Sequence, residues 1–385
     1  MLDIFWVFFR LGCTSFGGPV AHLGYFRDAF VNRRHWLTDE QYSNLVALCQ
    51  FIPGPASSQV GAAIGYNRAG YAGAVAAWIG FTLPSAVILT AFALSIVNLD
   101  NAMTLHALHG LKLVAVAVVT QAVWGMQKQL CTTFLRKTFA IAIAVLLVLF
   151  PSIEGQMGAI IVAGVTTFAF AKRSETEQQS EIRWRIPISS IICGVLCVIG
   201  LFVFVGLTDH SPLIALFDKL YRSGALVFGG GHVVLPLMHS EFVQTGLIQQ
   251  EQFLMGYGAA QAVPGPLFTI AAYIGASAEP TVPLLGATVS IVAIFLPGML
   301  LLFAVMPIWA QLQHHWGVKQ ALIGINTAVV GILLAVLIDP LISQTMLNIS
   351  DIIVVILATA GLIYWRLHPL WILAASVCIS VLIQL

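Results

Sequence analysis

Two glycines stand between prolines in this chain, in Gln50-Phe51-Ile52-Pro53-Gly54-Pro55 and in Gln261-Ala262-Val263-Pro264-Gly265-Pro266, both within apolar surroundings. Proline lacks an N–H and clashes with the preceding helical turn, and glycine adopts almost any backbone angle, so each Pro-Gly-Pro ends one helix and starts another. The new helices open Ala56-Ser57-Ser58-Gln59 and Leu267-Phe268-Thr269. Their first N–H groups have no intrahelical acceptor, and the hydroxyls of Ser57, Ser58 and Thr269 stand beside them: this is the donor chemistry of an anion site. Ser15-Phe16-Gly17-Gly18-Pro19 and Phe228-Gly229-Gly230-Gly231-His232 make a second pair of breaks, where the amides of Gly17, Gly18, Gly229 and Gly230 can approach a ligand unobstructed. Arg10 and Arg222 add fixed charge as planar forks suited to an oxyanion, and the Gln50 and Gln261 amides can donate to the same ligand. Each feature also has a plainer reading: breaks that serve packing, arginines that snorkel, glutamines that bond neighbouring helices. Four breaks at matching positions favour the anion site.

Proton carriers are fewer. Glu241 is the leading coupling candidate because its counterpart by alignment, Ala29, is uncharged, and His22 and His232 flank the glycine motifs and titrate near neutrality. Glu40 and Glu251 read instead as first-turn helix acids, with Thr38 of Trp36–Gln41 as an N-cap. The six cysteines are scattered through apolar helices and read as small buried residues. With no nucleophile–base set, metal-ligand cluster or phosphate loop in view, no catalytic residue, metal or cofactor is expected, and the chain does not read as an enzyme.

The elements that must position these residues are membrane helices. Of 385 residues, 59% are hydrophobic and 9% charged, against roughly 25% charged in soluble domains; the mean hydropathy is +0.94. Gly70–Val97, Leu105–Gln127, Ile186–Leu207, Leu284–Pro307 and Ala321–Ile338 approach or exceed the ~20 residues that span the hydrocarbon layer. The alternating segments of a β-barrel do not appear. A net charge of +1 offers nothing to nucleic acid. The amino terminus lacks a basic leader, so no cleavable signal peptide is expected, and no stripe reads as a dimerisation seam.

Lys172–Arg185 is the clearly polar stretch and divides the chain. Arg10–Gly18 answers Arg222–Gly230 at an offset of 212 (222 minus 10), the Pro-Gly-Pro motifs follow at 211 (264 minus 53), and Leu83-Pro84 answers Leu296-Pro297 at 213 (297 minus 84). A steady offset over such a distance is a duplication. Arg27, Arg33 and Arg34 crowd the loop after the first glycine motif, whereas Met238–Gln252 has no Lys or Arg; the positive-inside rule therefore sets the two loops on opposite sides and inverts the halves. Arg68, the Lys128–Lys137 loop and the linker all read as cytoplasmic, so the segment from Glu40 to Arg68 must enter and return as a re-entrant hairpin. If the glycine segments do not cross, about nine full spans remain. The expected fold is an all-α polytopic membrane protein of two inverted-topology repeats with broken, re-entrant helices. Its parts are a first repeat over 1–171, a cytoplasmic linker over 172–185, a connecting span over 186–207 and a second repeat over 208–385.

Phe8–His22, Trp36–Tyr42, Gln50–Tyr66, Val227–Leu237 and Gln261–Gly275 together resemble the chromate ion transporter family in its two-domain form, in the right order along nearly the whole chain. The resemblance implies a secondary transporter in the bacterial inner membrane that exports chromate and confers chromate resistance, with proton antiport as the proposed drive. Its partners would then be the oxyanion, protons and the lipid bilayer. Sulfate, another tetrahedral dianion, would suit the same donors, so a sulfate importer is the alternative; a membrane-embedded enzyme or binding protein without transport is the second. The chain departs from a strict repeat where Pro19 faces Gly231.

Overall fold

The computed structural model describes residues 1–16, 18–96, 102–150, 153–170, 186–203, 211–227, 234–312, 315–346, 348–365, 367 and 369–384. Every regular element among them is helical. The first half runs α1 (Leu2–Thr14), α2 (Gly18–Arg27), α3 (Asp39–Phe51), α4 (Ala56–Ile96), α5 (Ala102–Leu130), α6 (Phe134–Leu149) and α7 (Ile153–Phe170). After α8 (Ile188–Phe202), the second runs α9 (Pro212–Ala225), α10 (Val234–Phe242), α11 (Gln250–Ala262), α12 (Ile270–Ala278), α13 (Pro283–Val305), a short α14 (Trp309–Leu312), α15 (Trp316–Val336), a one-turn α16 (Ser343–Thr345), α17 (Ile349–Ile363) and α18 (Pro369–Gln384). The linker 172–185 lies outside the described residues.

Local signals place the ends. Thr38 caps α3 as expected: its Oγ1 accepts from Gln41 N at 3.2 Å, while the Gln41 side chain accepts from Thr38 N at 3.0 Å. Each Pro-Gly-Pro terminates one helix and precedes another, α3 and α4 in the first half, α11 and α12 in the second. α4 is not one rod. Ala69 and Gly70 leave helical geometry, and the chain folds back so that the backbones of Gly65 and Gly73 touch. In the second half the turn between α12 and α13 does the same, bringing Gly275 against Gly286. Small residues permit such approach, which in lipid must supply the packing that water exclusion supplies elsewhere. The halves thus share an order of helix, break, helix, turn and long helix.

Among the described residues four stretches are long and apolar enough to cross a membrane: Ala56–Ser95, His109–Leu130, Pro283–Ile308 and Lys319–Ile342. Five shorter apolar helices accompany them. Large apolar side chains face outward, Ile191, Leu196 and Val198 on α8 among them, as lipid contact requires. The molecule is a multi-pass membrane protein.

The packing exchanges elements between halves. α5 of the first half lies against α17 and α18 of the second, and α15 of the second lies against α6 and α7 of the first. Glycines set these seams: Gly324 touches the Ala163 carbonyl, and a methyl on Gly110 would come within 2.7 Å of Val377 Cα. That contact is with backbone, which cannot swing aside. Gly110→Leu is therefore expected to cost about 1–3 kcal/mol, read as a lower melting midpoint by size-exclusion chromatography after heating; an unchanged midpoint would refute the seam.

Candidate anion site

Each Pro-Gly-Pro break, the tip between its two helices, is held by the opposite half. Gly54, at φ +124°, donates its N–H to the Val227 carbonyl at 2.7 Å. Gly265, at φ +107°, donates to the Ser15 carbonyl at 2.9 Å. Val227 immediately precedes the second glycine motif and Ser15 the first. The long helices meet the tips in the same crossed sense. A methyl on Gly54 would lie 3.0 Å from Gly298 Cα, and one on Gly265 would lie 2.8 Å from Ser85 Oγ. Ser85 and Gly298 follow the intrahelical prolines Pro84 and Pro297, which interrupt the hydrogen-bond ladders of α4 and α13. Both glycines occupy positive φ, a region costly to any residue bearing a Cβ.

Side chains finish the assembly. Buried Gln59 donates from Nε2 both to Pro53 O at 2.9 Å and to Gly298 O at 2.9 Å, which ties tip to long helix and leaves Oε1 unpartnered among the described residues. Buried His22 reaches Ser15 O from Nε2 at 3.1 Å, so that nitrogen carries the proton. Its Nδ1 is then the acceptor for the Ser57 hydroxyl at 3.3 Å. Protonating the ring would reverse that bond, turning Nδ1 into a donor and freeing the hydroxyl hydrogen. The hydroxyls of Ser15, Ser58 and Thr82 are buried with no hydrogen-bond partner among the described residues. After Pro55 the N–H groups of Ala56, Ser57 and Ser58 precede the first intrahelical bond, made by Gln59 N to Pro55 O at 2.9 Å. The second tip is poorer, because Thr269 N and Oγ1 both return to Pro266 O, at 3.0 and 2.7 Å.

Of the residues singled out from sequence, Pro53, Gly54, Pro55, Ser57, Ser58 and His22 gather with Pro264, Gly265, Pro266 and Thr269 about this crossing. Gly18 opens α2 at φ +78°. Gln261 leaves Nε2 without a partner among the described residues. Gln50 is exposed on α3 and Arg10 on α1. Gly17, Gly229, Gly230 and His232 lie outside the described residues.

The two charged candidates of the second half, Arg222 and Glu241, are already engaged. Arg222 pairs with Asp218 one turn earlier; Asp218 is fully buried while the arginine side chain is 31% exposed. Glu241 is buried against Lys219 Nζ at 3.3 Å. At the matching offset of 212 the first half has Trp6, Val7 and Ala29 in place of Asp218, Lys219 and Glu241. The Asp218–Arg222 spacing of four is a helical ion-pair signal that sequence reading passed over. Gln59, Ser85 and Gly298 were passed over too; only the proline preceding Ser85 and Gly298 marked their place.

The start of α4 thus offers neutral N–H and hydroxyl donors, the chemistry by which helix starts receive anions. A family model described as chromate transporter matches residues 2–169 and 214–381, once in each half. The chain belongs to the chromate transporter family. An uncharacterized transporter of Methanocaldococcus jannaschii is 27% identical over 87% of this chain and 83% of its own length. The chromate transport protein of Pseudomonas aeruginosa is 23% identical over 88% and 80%, and that of Cupriavidus metallidurans 25% over 84% and 78%. No solved structure matches. The family is one of transporters, and this member carries its breaks, hydroxyls and glycines at corresponding positions of the two matched halves.

Proposed function

We propose that this chain exports chromate across the bacterial inner membrane, giving chromate resistance, with the two Pro-Gly-Pro tips as the moving parts of the binding site. The observation that carries the reading is the crossed pair of backbone bonds, Gly54 N–H to Val227 O and Gly265 N–H to Ser15 O. Each tip is held by the end of a helix in the other half, so releasing one bond at a time opens the centre to one side and then the other. The anion is met by the N–H groups of residues 56–58, the hydroxyls of Ser57 and Ser58 and the glycine amides, with Arg10 adding positive potential and Arg222 doing so once it leaves Asp218. Expelling a dianion from a negative-inside cell gains about 4.6 kcal/mol at ~100 mV, twice the ~2.3 kcal/mol per charge. Export is thus electrically downhill, and proton exchange adds to the drive.

Neutral amide and hydroxyl donors suit sulfate as well as chromate, so competition belongs in the test. Inverted vesicles containing the protein should accumulate labelled chromate, less so under excess sulfate, and should stop when the proton gradient and potential are collapsed. Vesicles that accumulate none would sink the export reading; accumulation that persists without gradient or potential would sink the coupling. Rescue of a sulfate-uptake mutant on low sulfate would favour the importer instead.

A further inference from the structure

A polar cavity of about 300 Å³ lies between α10, α7 and the end of α15, and is lined by Gln156, His239, Gln244, Gln250 and Asp339. Three of its polar atoms are left over from the bonds that His239 makes with Gln250 and Gln156 with Ser240. His239 is 6% exposed and Gln156 5%, yet His239 Nε2 and Gln156 Oε1 have no hydrogen-bond partner among the described residues, and neither has Gln250 Nε2. Buried polar atoms without partners cost about 1–3 kcal/mol each, and a polar space of this size offers room for several waters to satisfy them. The apolar walls come from Leu147 and Ile332, and Phe253 covers the imidazole edge-on at 5.7 Å between ring centres. Asp339 stands exposed where the apolar stretch Lys319–Ile342 leaves helical geometry, and its Oδ1 accepts from Ser343 at 2.5 Å.

The geometry points to this cavity as a water-filled protonation site, in which His239 exchanges a proton with solvent and Asp339 at the mouth attracts the incoming proton. Burial lowers the affinity of the His239 ring for a proton, and a hydrogen bond with Gln250 and the charge of Asp339 offset part of that. Asp339 acts on the ring from just beyond α15; Glu241 on α10 is neutralised by Lys219 of α9; Glu251 in the first turn of α11 acts on Lys112 of α5; and α6 and α15 contribute apolar side chains. Val243 and the exposed Gln244 line the cavity, within the loop that the positive-inside rule sets outside the cell. That is the side from which protons would enter an exporter. Contacts lead from His239 toward the first tip: Ser240 accepts from Gln156 Nε2 at 2.7 Å, α10 packs on α9, and Val227, two residues beyond α9, supplies the carbonyl that holds Gly54. The site rests on the exchange reading above for its purpose, and on the cavity alone for its existence.

The full-length protein in lipid nanodiscs, labelled with ¹⁵N-histidine and with His239 assigned by comparison with His239→Gln, tests it. The His239 signal should titrate between about pH 5 and pH 8, and its midpoint should fall by at least about half a unit in Asp339→Asn, whose exposed position spares the fold. An imidazole that does not titrate in that range, or whose midpoint ignores Asp339→Asn, overturns the site. In vesicles, His239→Gln should flatten the pH dependence of chromate flux, and an unchanged profile removes its part in coupling. If chromate is not carried at all while His239 titrates as stated, the exchange reading fails and the protonation site stands.

Discussion

Gly54→Ala and Gly265→Ala are each expected to reduce chromate flux by at least about tenfold while the protein still inserts into the membrane. Alanine at φ +124° or +107° costs about 1–3 kcal/mol in backbone strain, and about 1.4 kcal/mol already equals a factor of ten. The added methyl has no room either. At Gly54 it meets Gln59 Nε2 at 2.6 Å and Gly298 Cα at 3.0 Å; at Gly265 it meets Ser85 Oγ at 2.8 Å. Gln59 cannot retreat without giving up its bonds to Pro53 O and Gly298 O, so the first tip is expected to suffer more. Gly158→Ala, where a methyl meets open space, is the control and should leave flux unchanged. Full flux in both tip variants would mean that the crossing is packing alone.

The second large effect concerns Asp218 and Arg222. Arg222→Ala strands a fully buried carboxylate, and breaking a buried pair from one side costs about 3–5 kcal/mol. Asp218→Ala leaves an arginine whose Nε already lacks a partner among the described residues. Each single variant should therefore lower the thermal midpoint strongly, and Asp218→Ala with Arg222→Ala together should recover much of it, because no charge is left unpaired. Transport separates the two roles of the arginine. A stable double variant that carries no chromate would place Arg222 at the anion, whereas one that carries it normally would make the pair structural. Arg10 has no such acid, since Trp6 occupies the matching position; Arg10→Ala should reduce flux with little change in stability.

The legible part of the site was its local chemistry. Pro-Gly-Pro states its own consequence, a helix end followed by open N–H groups, because proline and glycine act on their own backbone, and Thr38 announced α3 through a bond spanning three residues. The Asp218–Arg222 pair was equally local and could have been read from its spacing. Gln59 was not, for a glutamine in a first helical turn has many uses, and what selects one is a carbonyl on α13 more than two hundred residues away. Ser85 and Gly298 likewise acquire meaning only from the tip that lands on each.

Sequence by itself determined that this is a helical membrane protein of duplicated plan, with breaks at matched places and the donor types of an anion site. Those properties follow from hydropathy, from residue-by-residue backbone preference and from a repeat offset. Tertiary structure decided which break meets which: Gly54 is held at Val227 and Gly265 at Ser15, and α5 and α15 change sides to pack with the opposite half. Composition cannot encode that choice, because each tip carries the same motif and either pairing would satisfy the same N–H groups. Close approach of small residues at Gly110, Gly298 and Gly324 selects the crossed one, since contact distance is a property of two surfaces and not of either sequence segment alone.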